Sequence, residues 1–244
     1  MIKSIYLLTI TLLFLCLHSC NNQTKYNEIV ETVHSDFVLY DGLIVSNISD
    51  INRALEENYI RIIDDLQVQR MPLVVVKIWA DYVEFLNAME ADIGTRYTGA
   101  TGYIISTEEI RIYFTNQAPL TAIHEFAHVV SMQINNTIPN NPRWLWEAVA
   151  LYETREFVDP IILPYMVSGD YPTLQELNTD YNSSNHFIYS LGYVLLEYVI
   201  NTWGMNTVIE LVENNGDIAT TLGITVLEFE LGWYKYIEEE YLLS

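Results

Sequence analysis

The chain has 244 residues, half of them hydrophobic, and carries a formal net charge of −21 at pH 7. This length and apolar content are sufficient for a globular protein with a sizeable core and at most two small lobes. The negative charge argues against nucleic acid as a partner, because a field of that sign repels phosphates. It favours neutral or basic peptides, although a solvated acidic surface accounts for much of it.

The first residues have the pattern of an export signal. Lys3 precedes an apolar run over residues 5–17, which is too short to span a bilayer comfortably and is followed by small residues. The segment Leu17-His18-Ser19-Cys20 resembles the lipobox of bacterial lipoproteins. This resemblance implies a signal peptide over residues 1–19, a lipidated Cys20 that anchors the exported chain to a membrane, and a place in the bacterial cell envelope. An ordinary secretory signal is the alternative.

The next part of the chain predicts a tether, a hairpin and a helix. Residues 20–30 are expected to form the lipidated end and a tether. Residues 37–40 and 43–45 predict two short strands about an Asp41-Gly42 turn. Ser49 can cap a helix that runs to about residue 68, because its apolar residues gather on one face. Those residues are Ile51, Leu55, Ile62 and Leu66.

A strand, a second helix and a hairpin are predicted before the central motif. Residues 73–79 are rich in β-branched side chains, which indicates a strand buried on at least one side. Asp81 and Glu84 form a capping box for a following helix. Two apolar runs, residues 103–105 and 110–114, predict a hairpin that leads into the next helix.

The segment over residues 122–130 contains the pattern His-Glu-x-x-His, with His124, Glu125 and His128. On a helix, residues four apart lie on one face, so both imidazoles can bind one ion with the glutamate beside them. This geometry suits zinc, which then requires a third protein ligand and an open position for water. The next glutamate on a helical pattern is Glu147, with eighteen residues between it and His128.

His-Glu-x-x-His, an eighteen-residue gap and then Trp-Leu-x-Glu-x-x-Ala-x-Tyr together resemble the gluzincin metallopeptidases, the class of thermolysin and aminopeptidase N. The resemblance implies one zinc ion per chain, held by His124, His128 and Glu147. It also implies hydrolysis of a peptide or protein substrate, with Glu125 as general base. One departure is Ala148, which stands where the family usually has glycine.

The resemblance implies two further functional groups. Relatives keep a Tyr or His in the helical lobe to stabilise the oxyanion, and here Tyr189 is preferred over His186, one helical turn before it. The strand before the metal helix is usually an exposed sheet edge in this family, and it would bind an extended peptide as an added strand. In this chain its residues are Ile110, Arg111, Ile112, Tyr113 and Phe114.

The expected fold class is α+β. Apolar spacing over residues 173–240 indicates helices. We therefore expect a zincin-like fold, with a small, mostly antiparallel sheet over the His-Glu-x-x-His helix, a C-terminal helical lobe, and a cleft between them. The domain is expected over residues 31–244, with lobes at about 31–135 and 136–244.

The sequence also allows a second function, that of a binding protein and not of an enzyme. The chain could be a zinc-containing lipoprotein that binds peptide or glycan partners without hydrolysis. Glu125 distinguishes the two functions, because a scaffold that has ceased to be an enzyme can lose its general base without losing zinc. This chain retains both, which favours peptide hydrolysis.

Overall fold

The computed structural model describes residues 26–179 and 187–243. In this part of the chain one five-stranded sheet is combined with ten α-helices, which confirms the α+β expectation. None of the helices in these residues is long and apolar enough to cross a bilayer. The expected signal peptide and Cys20 lie outside the described residues.

The sheet is mixed rather than mostly antiparallel. Its strands are β1 (Glu28–Glu31), β2 (Ser35–Leu39), β3 (Val74–Trp79), β4 (Gly102–Ser106) and β5 (Glu109–Tyr113). The strand order is β1-β2-β3-β5-β4, with antiparallel pairs at both ends and parallel pairs β2/β3 and β3/β5 in the centre. The expectation of a mostly antiparallel sheet was wrong because α1 returns the chain to the starting end of β2 before β3, and the antiparallel strand β4 does the same before β5.

The N-terminal hairpin was also predicted wrongly. Asp41 and Gly42 do form a turn, with φ of 56° and 82°. The chain then buries Leu43 and enters a 3-10 turn, Val45–Ile48, so no returning strand forms. Instead β1 pairs with β2, and residues 28–30 of the expected tether belong to the sheet.

The described residues form ten α-helices, which are numbered here in chain order. They are α1 (Ser49–Asp65), α2 (Tyr82–Ile93), α3 (Ala118–Ile134), α4 (Arg143–Thr154), α5 (Pro164–Val167), α6 (Leu174–Leu177), α7 (Phe187–Trp203), α8 (Met205–Glu213), α9 (Ile218–Leu222) and α10 (Val226–Ile237). The predicted core face of the first helix is buried. The carboxylate of Asp81 caps α2 by accepting hydrogen bonds from the backbone N–H groups of Val83 and Glu84.

The sheet separates two apolar layers. On one face, β2, β3 and β5 pack against α1 and α3 through inward side chains such as Phe37, Val76 and Ile110. On the other face, α2 covers a smaller aromatic cluster around Trp79 and Phe85. Helix α3 also packs against α4, which in turn packs against α7. The helix that carries the two histidines is therefore held between the sheet and the C-terminal helices.

Helices α4 and α7 pack closely at a glycine. A Cβ on Gly192 of α7 would lie 2.7 Å from Cδ1 of Leu151 and 3.1 Å from Cα of Ala148, both on α4. Ala148 is fully buried at this contact. The absence of a side chain on Gly192 thus lets α7 approach the backbone of α4 and the side chain of Leu151 closely.

A buried ion pair fastens the end of α4 to α1. The side chain of Glu153 is inaccessible to solvent, and the guanidinium of Arg61 donates a hydrogen bond to its carboxylate. Arg61 also donates to the side-chain oxygen of Asn58, at 3.0 Å. Burial raises the pKa of Glu153 to about 7, although the positive charge of Arg61 opposes the shift.

Because its pKa is raised, Glu153 should make a pH-dependent contribution to stability. A carboxyl whose pKa rises from 4.5 to about 7 binds more protons when folded, so its contribution is complete below about pH 4.5 and is lost as the pH rises through 7. We expect the free energy of unfolding of the wild type, relative to Glu153→Gln, to fall by up to about 3 kcal/mol between pH 5 and 8. Urea unfolding at several pH values measures this difference.

The exposed Glu57 of α1 provides a matched control. Glu57→Gln makes the same chemical change at a solvated position, and its pH profile should run parallel to that of the wild type. If Glu153→Gln also gave a parallel profile, the buried carboxyl would not titrate as stated.

Candidate metal centre

Two histidines of α3 face the same space. His124 and His128 lie on one face of the helix because they are four residues apart. Their rings are nearly perpendicular, with centroids 4.7 Å apart and planes at 89°. The ring of Trp146 stacks on His128 at 3.9 Å and 5°. This packing fixes the orientation of the second imidazole.

Helix α4 brings a carboxylate to the two imidazoles. Oε2 of Glu147 lies 3.3 Å from Nε2 of His124 and 3.9 Å from Nε2 of His128. The first turn of α4 is fixed by Asn178, whose side-chain oxygen accepts a hydrogen bond from the backbone N–H of Trp144 at 3.0 Å. His124, His128 and Glu147, the expected ligands, thus form a group whose donor atoms lie within 4.8 Å of one another.

The three donors fit a metal ion. For bonds of about 2.0–2.1 Å, two corners of a tetrahedron lie about 3.3 Å apart, which matches the 3.3 Å between Oε2 of Glu147 and Nε2 of His124, while Nε2 of His128 is somewhat farther away at 3.9 Å. Oε2 of Glu147 is buried and accepts no hydrogen bond from the described residues, although both imidazoles approach it. A cation between the three groups would satisfy this oxygen. Two imidazole nitrogens and one carboxylate form a set that leaves a fourth position open.

Electrostatic effects within this group favour a bound cation. Burial lowers the pKa of His124, but the adjacent Glu147 carboxylate, with smaller contributions from Glu125 and Glu156, raises it to about 9. Burial also places the pKa of His128 well below its usual value, with the charges of His124 and Arg143 acting in the same direction. The group therefore attracts positive charge, and a metal ion would replace the proton of His124.

Two side chains surround the carboxylate of Glu147. The guanidinium of Arg143 donates a 2.9 Å hydrogen bond to the hydroxyl of Tyr189 and lies 3.5 Å from Oε1 of Glu147. The hydroxyl of Tyr189 lies 3.4 Å from the same oxygen. Sequence reasoning missed Arg143, although its position four residues before Glu147 on a helical pattern indicates such a contact. These bonds orient the carboxylate, as partners of metal ligands commonly do.

The structure describes only one of the two predicted oxyanion donors. Tyr189 lies at the site, beside Glu147, and it lines the cleft. His186 lies outside the described residues. The roles given to both residues stay predictions.

Glu125 is buried and lies under the outer strand of the sheet. A Cβ on Gly102 of β4 would lie 2.7 Å from Oε1 of Glu125 and 2.5 Å from Cγ2 of Thr121. Glycine is therefore required for the strand to approach α3 this closely. Burial raises the pKa of Glu125 to about 7, with the charge of His124 lowering it and that of Glu147 raising it.

Two cavities share residues of the site. The larger cavity, of about 600 Å³, is lined by all three expected ligands and by apolar side chains. The smaller cavity, of about 300 Å³, is also lined by Gly99, Thr101, Thr121 and Glu156, which do not line the larger one. Both cavities are lined by Ala100, Gly102, His124, Glu125 and Tyr189. The apolar lining of the larger cavity includes Met89, Ile93, Tyr97, Tyr103, Ile104 and Trp146.

The predicted substrate strand is not a sheet edge. Strand β5 pairs with β3 on one side and β4 on the other, and Ile110 and Ile112 are fully buried. Arg111 is held by Asp92 and Glu109 at 3.1 Å and 2.8 Å. Tyr113 packs in the cluster beneath α2, and Phe114, just after β5, donates its backbone N–H to Trp79 of β3. The expectation failed because the hairpin places its first strand, β4, at the outside.

Comparison of the chain with models of known protein families and with curated protein sequences finds no match.

The close contact at Gly102 predicts that substitutions at Gly102 and Thr121 are coupled in their effect on stability. Gly102→Ala should lower the free energy of unfolding by about 1–3 kcal/mol, because the new methyl group collides with Thr121 and Glu125. Thr121→Ser removes the methyl at 2.5 Å, so it should recover part of this loss in the double variant. Urea unfolding of the two single variants and the double variant gives the interaction energy. Strictly additive effects would contradict the contact.

Proposed function

We propose that this protein hydrolyses peptide bonds with zinc as its cofactor. The observation that supports the proposal most strongly is the position of Glu125, a buried carboxyl next to three metal donors and open to both cavities. A binding site for zinc alone does not require a further carboxyl group at this place. A hydrolase requires one to accept a proton from water.

Different residues of the site would carry out metal binding, proton transfer and stabilisation of the oxyanion. His124, His128 and Glu147 would hold the ion, which when bound supplies a Lewis acid for the substrate carbonyl and acidifies water. Glu125 takes the proton of the attacking water and delivers it to the leaving amine. The Tyr189 hydroxyl, which faces the cleft, donates to the negative charge that develops on the carbonyl oxygen.

We propose that an extended peptide binds along β4 in place of the strand first expected. The backbone N–H of Tyr113 donates to the carbonyl of Thr101, so alternate residues of β4 direct their backbone groups to β5. The groups of Gly102 and Ile104 then face the cleft, and both residues line the larger cavity. Strand addition gives affinity through main-chain bonds.

Two substitutions separate the proposed roles. Glu125→Gln should reduce hydrolysis of casein by about 10²–10⁴-fold while one zinc per chain remains bound, because the amide keeps the shape but accepts no proton. Glu147→Ala should instead lower the zinc content, because a ligand is lost. Rates of fluorescent peptide release and elemental analysis of the same samples measure both effects.

Glu57→Gln at an exposed position is the matched control and should retain both activity and zinc. Wild-type activity should also disappear with a chelator and return with zinc. Full activity in Glu125→Gln would disprove the mechanism. A zinc-loaded wild type that cleaves no member of a broad peptide library would favour a protein that binds peptides or glycans without cleaving them.

We further propose that the protein is an exported lipoprotein of a bacterial cell envelope, anchored through Cys20. The support is the basic start, the short apolar run and Leu17-His18-Ser19-Cys20. A membrane anchor would hold the site near its peptide or protein substrates at the cell surface or in the periplasm.

Replacement of the modified cysteine tests the anchor. Cys20→Ala should abolish incorporation of labelled fatty acid and leave the signal peptide unprocessed by the lipoprotein route, because the acylated thiol is missing. Cys16→Ala, within the segment expected to be removed, is the matched control and should label normally. Equal acyl labelling of Cys20→Ala and wild type would contradict the assignment.

A further inference from the structure

The two cavities at the metal centre differ in chemistry. The residues that belong to the smaller cavity alone are Gly99, Thr101, Thr121 and Glu156. Three of these are small or uncharged, and Glu156 is the only charged one. The larger cavity continues past apolar and aromatic side chains together with Asn140, Arg143 and Asn178, and its only carboxyl groups, Glu125 and Glu147, belong to the metal centre. A ligand that extends across the metal centre would therefore meet two different environments.

The end of α4 places Glu156 in a fixed position. Arg155 has φ of 59°, and its backbone N–H donates to the carbonyl of Tyr152 at 3.0 Å. The backbone N–H of Glu156 donates to the carbonyl of Leu151 at 2.9 Å. These are the two bonds of a Schellman motif, which ends a helix with a defined turn. The same helix carries Glu147, so the backbone of Glu156 has a set position relative to the metal ligands, and its side chain lines the smaller cavity.

The environment of Glu156 suits a cation from outside the fold. Glu156 is partly exposed and forms no ion pair within residues 26–179 and 187–243. The other charged groups that line the smaller cavity, His124 and Glu125, belong to the metal centre. The cavity is large enough for one long side chain or a terminal residue, since its volume is about 300 Å³. A positive group there would lie beside the carboxylate of Glu156 and near Thr101 and Thr121, whose hydroxyls hydrogen-bond to each other at 3.3 Å.

We propose that Glu156 makes the smaller cavity a recognition site for a positively charged group of the peptide substrate. The group is a protonated amine or guanidinium adjacent to the bond that is cleaved. It can come from a Lys or Arg side chain within the peptide or from a free amino terminus. This inference rests on the proposed peptide hydrolysis, and it adds the class of substrate.

Matched peptides separate the two sources of charge. One pair carries Lys or norleucine beside the cleaved bond in a peptide with an acetylated terminus. A second pair has a free or an acetylated amino terminus and norleucine at that position. Wild type should cleave the charged member of at least one pair with a kcat/KM about 10-fold higher, because charge-assisted hydrogen bonds have this strength. The pair that responds identifies the source.

Two variants assign the preference to Glu156. In Glu156→Gln the ratio of kcat/KM between charged and neutral peptides should fall about 10-fold, because the amide keeps the size but not the charge. Glu57→Gln removes the same charge from an exposed site on α1 and should leave the ratio unchanged. Zinc content is measured in every sample, so loss of the metal is recognised. Equal ratios in wild type and Glu156→Gln would overturn the inference while hydrolysis itself stands.

A binding measurement makes the test independent of turnover. Peptide hydroxamates are titrated calorimetrically into the zinc-loaded full chain as two matched pairs, one with Lys or norleucine and one with a free or an acetylated amino terminus. Wild type should bind the charged member of at least one pair about 10-fold more tightly, and Glu156→Gln should bind both members of that pair alike. Discrimination here without any peptide cleavage would reject the proposed hydrolysis but keep the cation site. A wild type that binds the two members of each pair equally, or binds none of the four compounds, would reject the cation site.

Discussion

The contact between α3 and α4 is the constraint on which the rest of the site depends. A carboxylate from one helix must reach within 3.3 Å of an imidazole on the other, which permits little sliding or rotation. Gly192 of α7, the Asn178 cap and the buried Arg61–Glu153 pair hold α4 at three points. None of these contacts involves a ligand atom, yet together they set where Glu147 lies.

Burial and nearby charged groups together determine the electrostatics of the two glutamates at the site. Arg143 approaches one oxygen of Glu147 while the imidazoles approach the other. Close positive groups reduce the cost of burying a carboxyl group, because an isolated buried charge is unfavourable. For Glu125, burial raises the pKa to about 7, with the positive charge of His124 opposing the shift and the negative charge of Glu147 adding to it. The two glutamates of the site thus lie in different electrostatic surroundings.

Local sequence patterns predicted more of the site than of the sheet. The spacing of His124 and His128, and the helical pattern around Glu147, depend on periodicity within single helices, which sequence displays directly. Strand order does not depend on local periodicity, because it is decided by packing between distant segments. Thus the hairpin of β4 and β5 was found but its outer strand was misassigned. At Asp41-Gly42 the turn chemistry was right, but burial of Leu43 decided the path of the chain.

The irregular pairing of β4 and β5 limits how the sheet can associate with other chains. The register shifts between Ile104 and Ser106, and such bulges bend and twist an outer strand. The straight part of the free edge is consequently only about three residues long. An edge this short is a poor template for the sheet of another copy, which needs a longer row of unpaired groups. The molecule can therefore leave main-chain groups open beside Glu125 with little tendency to aggregate through them.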